Sequence, residues 1–402
     1  MMPLEGYRLL DLSRLQPGPS GTHILADMGM EVIKIEETEP RGGMGRDVLT
    51  PVVPTPETEV SYAAYNAFAR NKKSIAINMK SEEGREALYR LVRTADAFIE
   101  GYRPGVMKRL GCDYETLSKI NPRLVYCSLS GYGQDSPYVD LPGHDPNYCS
   151  VAGQLSLQRD ENGTPVGNGV PMADVAGGVH AAMGIMAAIL GRETTGRGQH
   201  IDVTLTHSVM SWMVSASANY FRDGPKPERS EGFGVLKCRD GKFLTVSNAE
   251  THFWHNFCDG IGKPELKPLH HKSDGNAAQF DQMVNDIKAL FMTKDRDEWF
   301  DILAKAETCV APILEIDELF DNPANQHRGM LLEVDHPTMG KVKQIGPVIQ
   351  FSDTPFEFKN FAPVLGENTV ELLREVGYDT AEVDSLIGSG AVKAWGEAVA
   401  TS

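Results

Sequence analysis

The sequence contains no run of about 18 consecutive apolar residues, and no charged-then-apolar leader follows Met1. We therefore expect neither a membrane span nor a secretory signal. Basic residues are also scarce: 39 Lys and Arg stand against 55 Asp and Glu, for a net charge of -16. Nucleic acids and anionic membranes require an excess of cations on one face, so this balance argues against both as partners. We predict a cytoplasmic protein in which a local basic cluster meets any anionic ligand.

Several common active-site signatures are missing. The six cysteines include no CxxC pair, which argues against a zinc site or a redox dithiol and predicts free thiols. Neither HExxH nor a GxSxG at a strand-to-helix turn is present, so metalloprotease and α/β-hydrolase chemistry are not indicated. The first predicted strand is followed by QPGPSG at 16–21 in place of GxGxxG. Its two prolines remove amide donors that a dinucleotide pyrophosphate would need.

Strand and helix patterns alternate in the first half of the chain. Short apolar runs predict strands at residues 7–12, 31–36, 74–78, 97–100 and 124–130. Helices are predicted at 22–28 and 81–93, with a turn at 16–21. Such alternation with right-handed crossovers predicts an α/β fold with a mostly parallel sheet covered on both faces. An Ala/Gly/Met-rich stretch at 174–190 predicts a buried helix.

A second, smaller domain is indicated after a polar, turn-rich segment. Residues 222–230 predict a linker, and 237–248 predict a β-hairpin about Asp240 and Gly241. Helices are predicted at 251–261, 276–292 and 296–306. From about residue 330 the chain returns to strands and a final helix near 367–376. The predicted domains are 1–221, then 222–329 with the linker and small domain, then a C-terminal segment at 330–402.

Recognisable phrases are spread over most of the chain. They include LSRLQPGPSGTHILADMGMEVIKIE, RNKKSIAINMKSEEG, EGYRPGVMKRLG, PGHDPNY, PMADVAGG, GRGQHIDVTL and CVAPIL. In this order and at these intervals they resemble CoA-transferase family III, of the CaiB/BaiF type, which joins α-methylacyl-CoA racemases to formyl-CoA-type CoA-transferases. The resemblance implies a Rossmann-like large domain built from both chain ends, a smaller α+β domain, and two ring-shaped subunits interlocked as a homodimer.

The same resemblance implies an acyl-CoA thioester as the ligand, with CoA as part of the substrate and neither a further cofactor nor a metal. Two basic clusters would suit the phosphates of CoA. They consist of Arg70, Lys72 and Lys73, and of Arg103, Lys108 and Arg109. Judged from the residues alone, the alternative is a solvated basic face beside two turns.

Two motifs carry the candidate chemistry. In the racemase branch, the GHD phrase containing His144 and Asp145 supplies one acid/base group, and Asp174 matches the second. Inverting an α-carbon requires one group to remove a proton from one face and another to deliver it to the other. In the transferase branch, the residue matching Asp174 carries CoA as an aspartyl thioester. From the residues alone, His144 could be a loop residue and Asp174 a helix cap.

Other positions divide between the branches. Glu250 matches a racemase glutamate that orients the catalytic histidine. Gln16 stands where formyl-CoA-type transferases carry an active-site glutamine, and the PMAD segment resembles their version. We expect a cofactor-independent racemase of 2-methylacyl-CoA thioesters that exchanges the α-proton through an enolate. The alternatives are a CoA-transferase that moves CoA between carboxylic acids, or within one, through Asp174, and a non-catalytic binder of CoA esters.

Overall fold

The computed structural model describes residues 1–39, 55–160, 162–224, 234–271 and 276–396. The chain divides into two compact units, one within residues 1–217 and 329–402 and the other within 218–328. Residues 225–230 of the predicted linker lie outside the described ranges.

The described strands, numbered along the chain, are β1 (Arg8–Leu12), β2 (Glu31–Glu36), β3 (Lys72–Ile77), β4 (Ala97–Glu100), β5 (Val125–Ser130), β6 (His200–Thr204), β7 (Val235–Lys237), β8 (Phe243–Val246), β9 (Val310–Pro312), β10 (Leu331–His336), β11 (Gly340–Ile345) and β12 (Val392–Lys393). The main sheet has seven strands in the order β12-β3-β2-β1-β4-β5-β6. The pairs from β3 through β6 are parallel, and β12 is antiparallel to β3.

The described α-helices are α1 (Pro17–Asp27), α2 (Pro56–Tyr65), α3 (Glu82–Val92), α4 (Val106–Leu110), α5 (Tyr114–Ile120), α6 (Asp145–Val151), α7 (Met172–Thr195), α8 (Leu205–Ser211), α9 (Val214–Asp223), α10 (Thr251–Gly260), α11 (Ala277–Phe291), α12 (Arg296–Lys305), α13 (Ile316–Leu319), α14 (Pro323–His327), α15 (Thr369–Glu375) and α16 (Thr380–Gly388). Short 3-10 helices occur at Ala67–Ala69, Gln154–Leu157 and Pro264–Leu266.

Both faces of the main sheet are buried. Leu10 of β1 belongs to one hydrophobic core together with Leu88 of α3. The preceding residue, Leu9, belongs to a second core together with Ile185 of α7. A parallel strand that is covered on both faces is a nearly continuous apolar run in the sequence, and these strands could be predicted for that reason. The predicted α/β class with a mostly parallel sheet is confirmed.

The two ends of the first unit differ in detail from the prediction. Helix α1 begins at Pro17, where a turn was predicted, because proline lacks only an N–H that has no partner in a helix's first turn. The helix predicted near 367–376 is not the last element, since α16 and β12 follow it. Strand β12 has two residues and pairs Val392 with Ile77 of β3, which attaches the C-terminal segment to the sheet.

The 24-residue helix α7 is long and apolar enough to cross a membrane by length and composition alone. The sequence analysis expected no such stretch. Half of its most apolar window is buried inside the protein. Ala181, Ile185 and Ile189 on this helix belong to the core that covers one face of the sheet, so α7 packs as a core helix.

Helices α1 and α7 cross where both carry glycine. A Cβ added at Gly21 would lie 2.3 Å from the carbonyl oxygen of Gly178. One added at Gly178 would lie 2.2 Å from the Ser20 hydroxyl and 2.5 Å from the Pro17 carbonyl oxygen. The close approach therefore places the second turn of α7 beside the start of α1.

We expect Gly178→Ala to lower the free energy of unfolding by about 1–3 kcal/mol, because the methyl group must displace backbone atoms of α1. Gly191 lies in the same helix, and nothing lies within 4 Å of a Cβ added there. Gly191→Ala should therefore raise stability by roughly 0.5–1 kcal/mol. Urea unfolding compares the two variants with wild type. Equal stability of Gly178→Ala and wild type would contradict a tight α1–α7 crossing.

The second unit contains the antiparallel sheet β7-β8-β9. Strands β7 and β8 form the predicted hairpin, with Gly241 at φ 84° in its turn. Trp254, Phe257, Phe291 and Trp299 form its aromatic core together with aliphatic neighbours. The buried Arg296 donates to both carboxylate oxygens of Glu318, at 2.7 and 3.0 Å.

Candidate active site

The order of the main sheet reverses at β1, whose neighbours are β2 on one side and β4 on the other. In such sheets the crossovers leave in opposite directions at this point and open a crevice at the carboxyl ends of the strands. A cavity of about 600 Å³ occupies this crevice. The residues that follow β1, β4 and β5 contribute to its wall, among them Ser13, Arg14, Tyr102, Arg103 and Gly131.

The turn after β1 is held by a buried carboxylate. Asp11 accepts from the Ser13 N–H at 2.9 Å and from the Thr22 hydroxyl at 2.5 Å. Leu15, which lines the cavity, has φ 59°, a backbone conformation that costs a non-glycine residue energy and requires support from its surroundings. Gln16 is the N-cap residue of α1 and lies between Leu15 and Pro17, both on the cavity wall. Its predicted role stays a prediction.

Asp174 is the third residue of α7 and lines the cavity. The Asp145 carboxylate accepts from the N–H groups of Ala173 at 2.6 Å and Asp174 at 3.1 Å, so it caps the start of α7. Burial, and to a lesser extent the negative charge of Asp145, raise the pKa of Asp174 to about 7. Asp145 therefore contacts the backbone at Asp174, and its predicted catalytic role stays a prediction.

His144 is the N-cap residue of α6 and is exposed on the wall of the same cavity. Its backbone N–H donates to the Asn147 side chain at 2.9 Å. The structure thus brings His144 and Asp174, the two predicted acid/base groups, to one cavity.

Tyr148 was not singled out in the sequence, although it ends the PGHDPNY phrase. Its hydroxyl donates to the Gly143 carbonyl oxygen, and a Cβ at Gly131 would lie 2.4 Å from its ring. Burial raises the pKa of Tyr148 to about 12, with the charges of Tyr132 and Asp174 acting in the same direction. The two glycines therefore leave room for a neutral tyrosine in the cavity wall.

Two arginines bring positive charge to the cavity. Arg103, predicted as a CoA ligand, is exposed on its wall. Arg14 was missed by the sequence analysis, although it lies in the LSRLQPG phrase; it also lines the cavity and lies 3.6 Å from Glu37. Lys108 and Arg109 are exposed on α4, the helix that follows Arg103. Their contact with a ligand stays a prediction.

The first predicted phosphate cluster requires correction. Arg70 is fully buried, and its guanidinium donates to Asp27 at 3.0 and 2.5 Å and to the Ile345 carbonyl oxygen at 2.5 Å. Lys72, 1% exposed, donates to the Thr22 hydroxyl at 2.6 Å and lies 3.4 Å from Asp11. Because protein acceptors surround both cations, the structure assigns them to internal packing instead of a phosphate surface.

Lys73 is partly exposed but also paired. Its ammonium lies 3.0 Å from Glu31 and 2.7 Å from Glu371, on β2 and α15. Glu31 is the first residue of its strand, so this group lies at the amino ends of the strands, opposite the cavity. Lys73 therefore does not belong to the cavity described above.

Glu250 belongs to the second unit, where it is the exposed N-cap residue of α10. Its predicted role beside His144 stays a prediction. Across the described ranges, no group of three His, Cys, Asp or Glu side chains could hold a metal ion.

A Rossmann-like sheet with a cavity in the crevice where the strand order reverses is typical of α/β proteins that bind a ligand there. The model of CoA-transferase family III matches residues 4–369. The chain belongs to this family, as the sequence analysis predicted.

Named relatives match nearly the full chain. It is 33% identical over 401 residues to the succinyl-CoA:glutarate CoA-transferase of Homo sapiens, covering 97% of this chain and 90% of that protein. It is 31% identical over 423 residues to the formyl-CoA:oxalate CoA-transferase of Rhodopseudomonas palustris, covering 97% of each. The crystal structure of a CAIB/BAIF family protein from Brucella suis has a TM-score of 0.77 and 28% identity, covering 93% of this chain and 99% of that one.

Proposed function

We propose that this protein is a CoA-transferase that moves CoA between two carboxylic acids through a covalent thioester on Asp174. The observation that carries the proposal is the position of Asp174 on the wall of the cavity where the strand order reverses. The relatives that match nearly the full chain are named CoA-transferases. These names favour the alternative of the sequence analysis over its main expectation, a racemase.

The proposed reaction needs two exchanges at the Asp174 carboxyl group. The Asp174 carboxylate attacks the thioester carbonyl, the C–S bond breaks, and CoA leaves as a thiolate while the acyl group forms an anhydride with Asp174. The thiolate then attacks the Asp174 carbonyl, and the first acid leaves as a carboxylate. The acceptor carboxylate repeats these steps in reverse order and restores Asp174. Protons and electrons balance without another reactant.

The cavity wall supports this chemistry. Arg14 and Arg103 offer guanidinium groups to an anionic CoA ester, since arginine pairs well with carboxylate and phosphate oxygens. We propose that CoA enters only as part of the substrate and that no further cofactor takes part. The turn containing Gln16, fixed through Asp11, would lie beside the reacting carboxylate.

The pH dependence follows from Asp174, because only its anion is a nucleophile. We expect kcat/KM to rise with pH and to reach half its maximum at about pH 7, the ionisation point of Asp174 in the free enzyme. In Asp145→Asn the amide oxygen can still cap α7, but the repelling charge is gone. The half-maximum should therefore move to lower pH. An unmoved profile would show that Asp145 does not influence the ionisation of Asp174.

One experiment decides between transfer and racemisation. Wild type and His144→Ala are assayed for CoA transfer from succinyl-CoA to glutarate and from formyl-CoA to oxalate, and in parallel for α-proton exchange of a 2-methylacyl-CoA in deuterated water. We expect CoA transfer in both proteins and a hydroxylamine-sensitive adduct at Asp174. Exchange that falls by about 10²- to 10⁴-fold in His144→Ala, without CoA transfer by wild type, would instead establish a racemase.

We also propose that the protein works as the homodimer that the family resemblance implies. Large apolar side chains are exposed on α7 and α8, on the turn that follows α8 and at the start of α9: Met183, Leu190, Met210, Trp212 and Val214. Exposed apolar groups in this number are typical of a surface that associates with a partner. The molecular mass in solution tests the proposal, and a monomer at micromolar concentration would exclude it.

A further inference from the structure

Strands β1 and β4, between which the strand order reverses, end with a similar hydrogen bond. Asp11 in β1 and Glu100 in β4 are buried carboxyl groups, and each accepts from the N–H two residues further on. For Asp11 this is Ser13 at 2.9 Å, and for Glu100 it is Tyr102 at 2.8 Å. Both acceptor contacts fix turns that line the cavity. Asp11 has the ammonium of Lys72 at 3.4 Å, whereas Glu100 lies among groups of a different kind.

Glu100 belongs to a polar row that crosses three strands. Glu100, Ser128 and Asp202 are direct partners in the registers of β4, β5 and β6. The Ser128 hydroxyl oxygen lies 3.0 Å from Nε2 of His200. Burial raises the pKa of Glu100, and a hydrogen bond from Ser128 is among the causes that lower it. Glu100 is 3% exposed, whereas His200 is exposed and its ring stacks on Tyr114. The row therefore connects a buried carboxyl group beside the cavity with an imidazole at the surface.

We propose that Glu100 is a positioning residue that fixes the Tyr102–Arg103 wall of the cavity, and that proton exchange through Ser128 and His200 sets how firmly it does so. This inference rests on the proposed function in one respect: the ligand of that wall is taken to be a CoA ester. The ionised carboxylate forms a charge-assisted hydrogen bond with the Tyr102 N–H, which holds the backbone next to Arg103.

The proton comes from solvent and moves along the row. With Glu100 ionised, the Ser128 hydroxyl donates to Glu100 and accepts from the N–H at Nε2 of His200. When solvent delivers a proton to Nδ1 of His200, the Nε2 proton passes to Ser128 and the Ser128 hydroxyl proton passes to Glu100. The Glu100 hydroxyl then donates to Ser128, Ser128 donates to His200, and His200 carries its proton on Nδ1 with Nε2 as an acceptor. The bond from the Tyr102 N–H then ends on a neutral carboxyl group and is weaker.

The surroundings place this change near neutral pH. Burial is the main cause that raises the pKa of Glu100 to about 7, the hydrogen bonds from Ser128 and Tyr102 lower it, and the charge of Asp202 raises it. Burial raises the pKa of Tyr126 and Cys127 on β5 and of Tyr102, and the charge of Glu100 raises each in the same direction. Arg14, from the turn after β1, lowers the pKa of Tyr102 and so opposes the effect of burial. The wall should be held firmly above about pH 7 and loosely below it.

Two measurements test the proposal on wild type, Glu100→Gln and Ser128→Ala. Hydrogen exchange of the peptide that contains residues 101–105 needs no substrate, and calorimetry with free CoA reports binding. In wild type, protection of the Tyr102 amide and CoA affinity should both increase through about pH 7. Glu100→Gln should lose this pH dependence and bind CoA about threefold to tenfold more weakly at high pH, the effect of one hydrogen bond. Ser128→Ala should move the midpoint to higher pH, because it removes a bond that favours the anion.

Stability separates positioning from a purely structural role. A folded-state pKa above the unfolded value means that ionisation of Glu100 lowers stability as pH rises from about 4.5 to about 7. Glu100→Gln removes this cost, so it should unfold at higher urea than wild type above pH 7 while it binds CoA more weakly. The exposed Glu83 of α3 provides the control, and Glu83→Gln should match wild type in every measurement.

If hydrogen exchange of the peptide that contains residues 101–105 is the same in Glu100→Gln and wild type, the proposal is wrong, whatever reaction the enzyme catalyses. A pH-independent Tyr102 amide in wild type would do the same. If wild type failed to bind CoA while the exchange data followed expectation, the proposed function would fail and the positioning role of Glu100 would stand.

Discussion

Asp174→Asn is expected to abolish CoA transfer, with a loss on the order of 10⁴- to 10⁶-fold, the range seen when a group central to a covalent mechanism is removed. An amide cannot form the anhydride or the thioester. Its shape is nearly that of the carboxyl group, so it should preserve the contact of the Asp174 N–H with Asp145 at 3.1 Å. Transfer assays with succinyl-CoA and glutarate measure the loss, and mass spectrometry should find no acyl or CoA adduct on the variant.

Asp174→Asn, although it abolishes CoA transfer, is expected to raise the stability of the folded protein. The raised pKa of Asp174 means that the folded protein holds this proton more tightly than the unfolded chain does. Its ionisation therefore lowers stability as pH rises from about 4 to about 7, and this cost stays at higher pH. Asp174→Asn lacks the ionisation and should be more stable than wild type above pH 7.

A matched control is Asp135→Asn, because Asp135 is exposed in the same unit. It should keep wild-type activity and stability. An Asp174→Asn protein that is folded, binds CoA and still transfers it at more than a hundredth of the wild-type rate would show that Asp174 is not the nucleophile.

The strands that form the cavity could be predicted from the sequence because each is a short apolar run bounded by turns. Strand β4 at Ala97–Glu100 and strand β2 at Glu31–Glu36 have the predicted bounds. The start of α1 was wrong because two prolines were taken as a turn signal, although both lie in its first turn. Strand β12 was missed because two residues carry no periodic pattern.

The candidate site divides in a similar way. His144 and Asp174 stand in phrases that resemble the family, and the fold brings both to one cavity. Arg70 and Lys72 were misassigned because a cation in a sequence gives no sign of its depth. Lys72 and Ser74 of β3 point to one face of the sheet and Lys73 to the other. Lys34 of β2 pairs with Ser74 of β3 on one side and with Asp11 of β1 on the other. Only this register shows that a buried polar layer crosses β1, β2 and β3.

The buried position of Arg70 leads to the second large effect. We expect Arg70→Ala to lower the free energy of unfolding by about 3–5 kcal/mol, the cost of breaking a buried ion pair by removing one partner. Asp27 would lose two charge-assisted hydrogen bonds, at 3.0 and 2.5 Å, and the Ile345 carbonyl oxygen would lose its donor. Arg70→Lys should fall between wild type and Arg70→Ala, since an ammonium cannot form the bidentate contact.

Urea unfolding measures the loss, and CoA binding of the folded variants separates a structural cation from a ligand-binding one. Arg70→Lys should bind free CoA as wild type does. Arg103→Ala, at the exposed cavity wall, should keep wild-type stability and bind CoA about tenfold to hundredfold more weakly, as expected when a charge-assisted contact to phosphate is lost. The reverse result, with Arg70→Lys weak in binding and Arg103→Ala unchanged, would return Arg70 to the CoA site and require Asp27 to release it when the ligand binds.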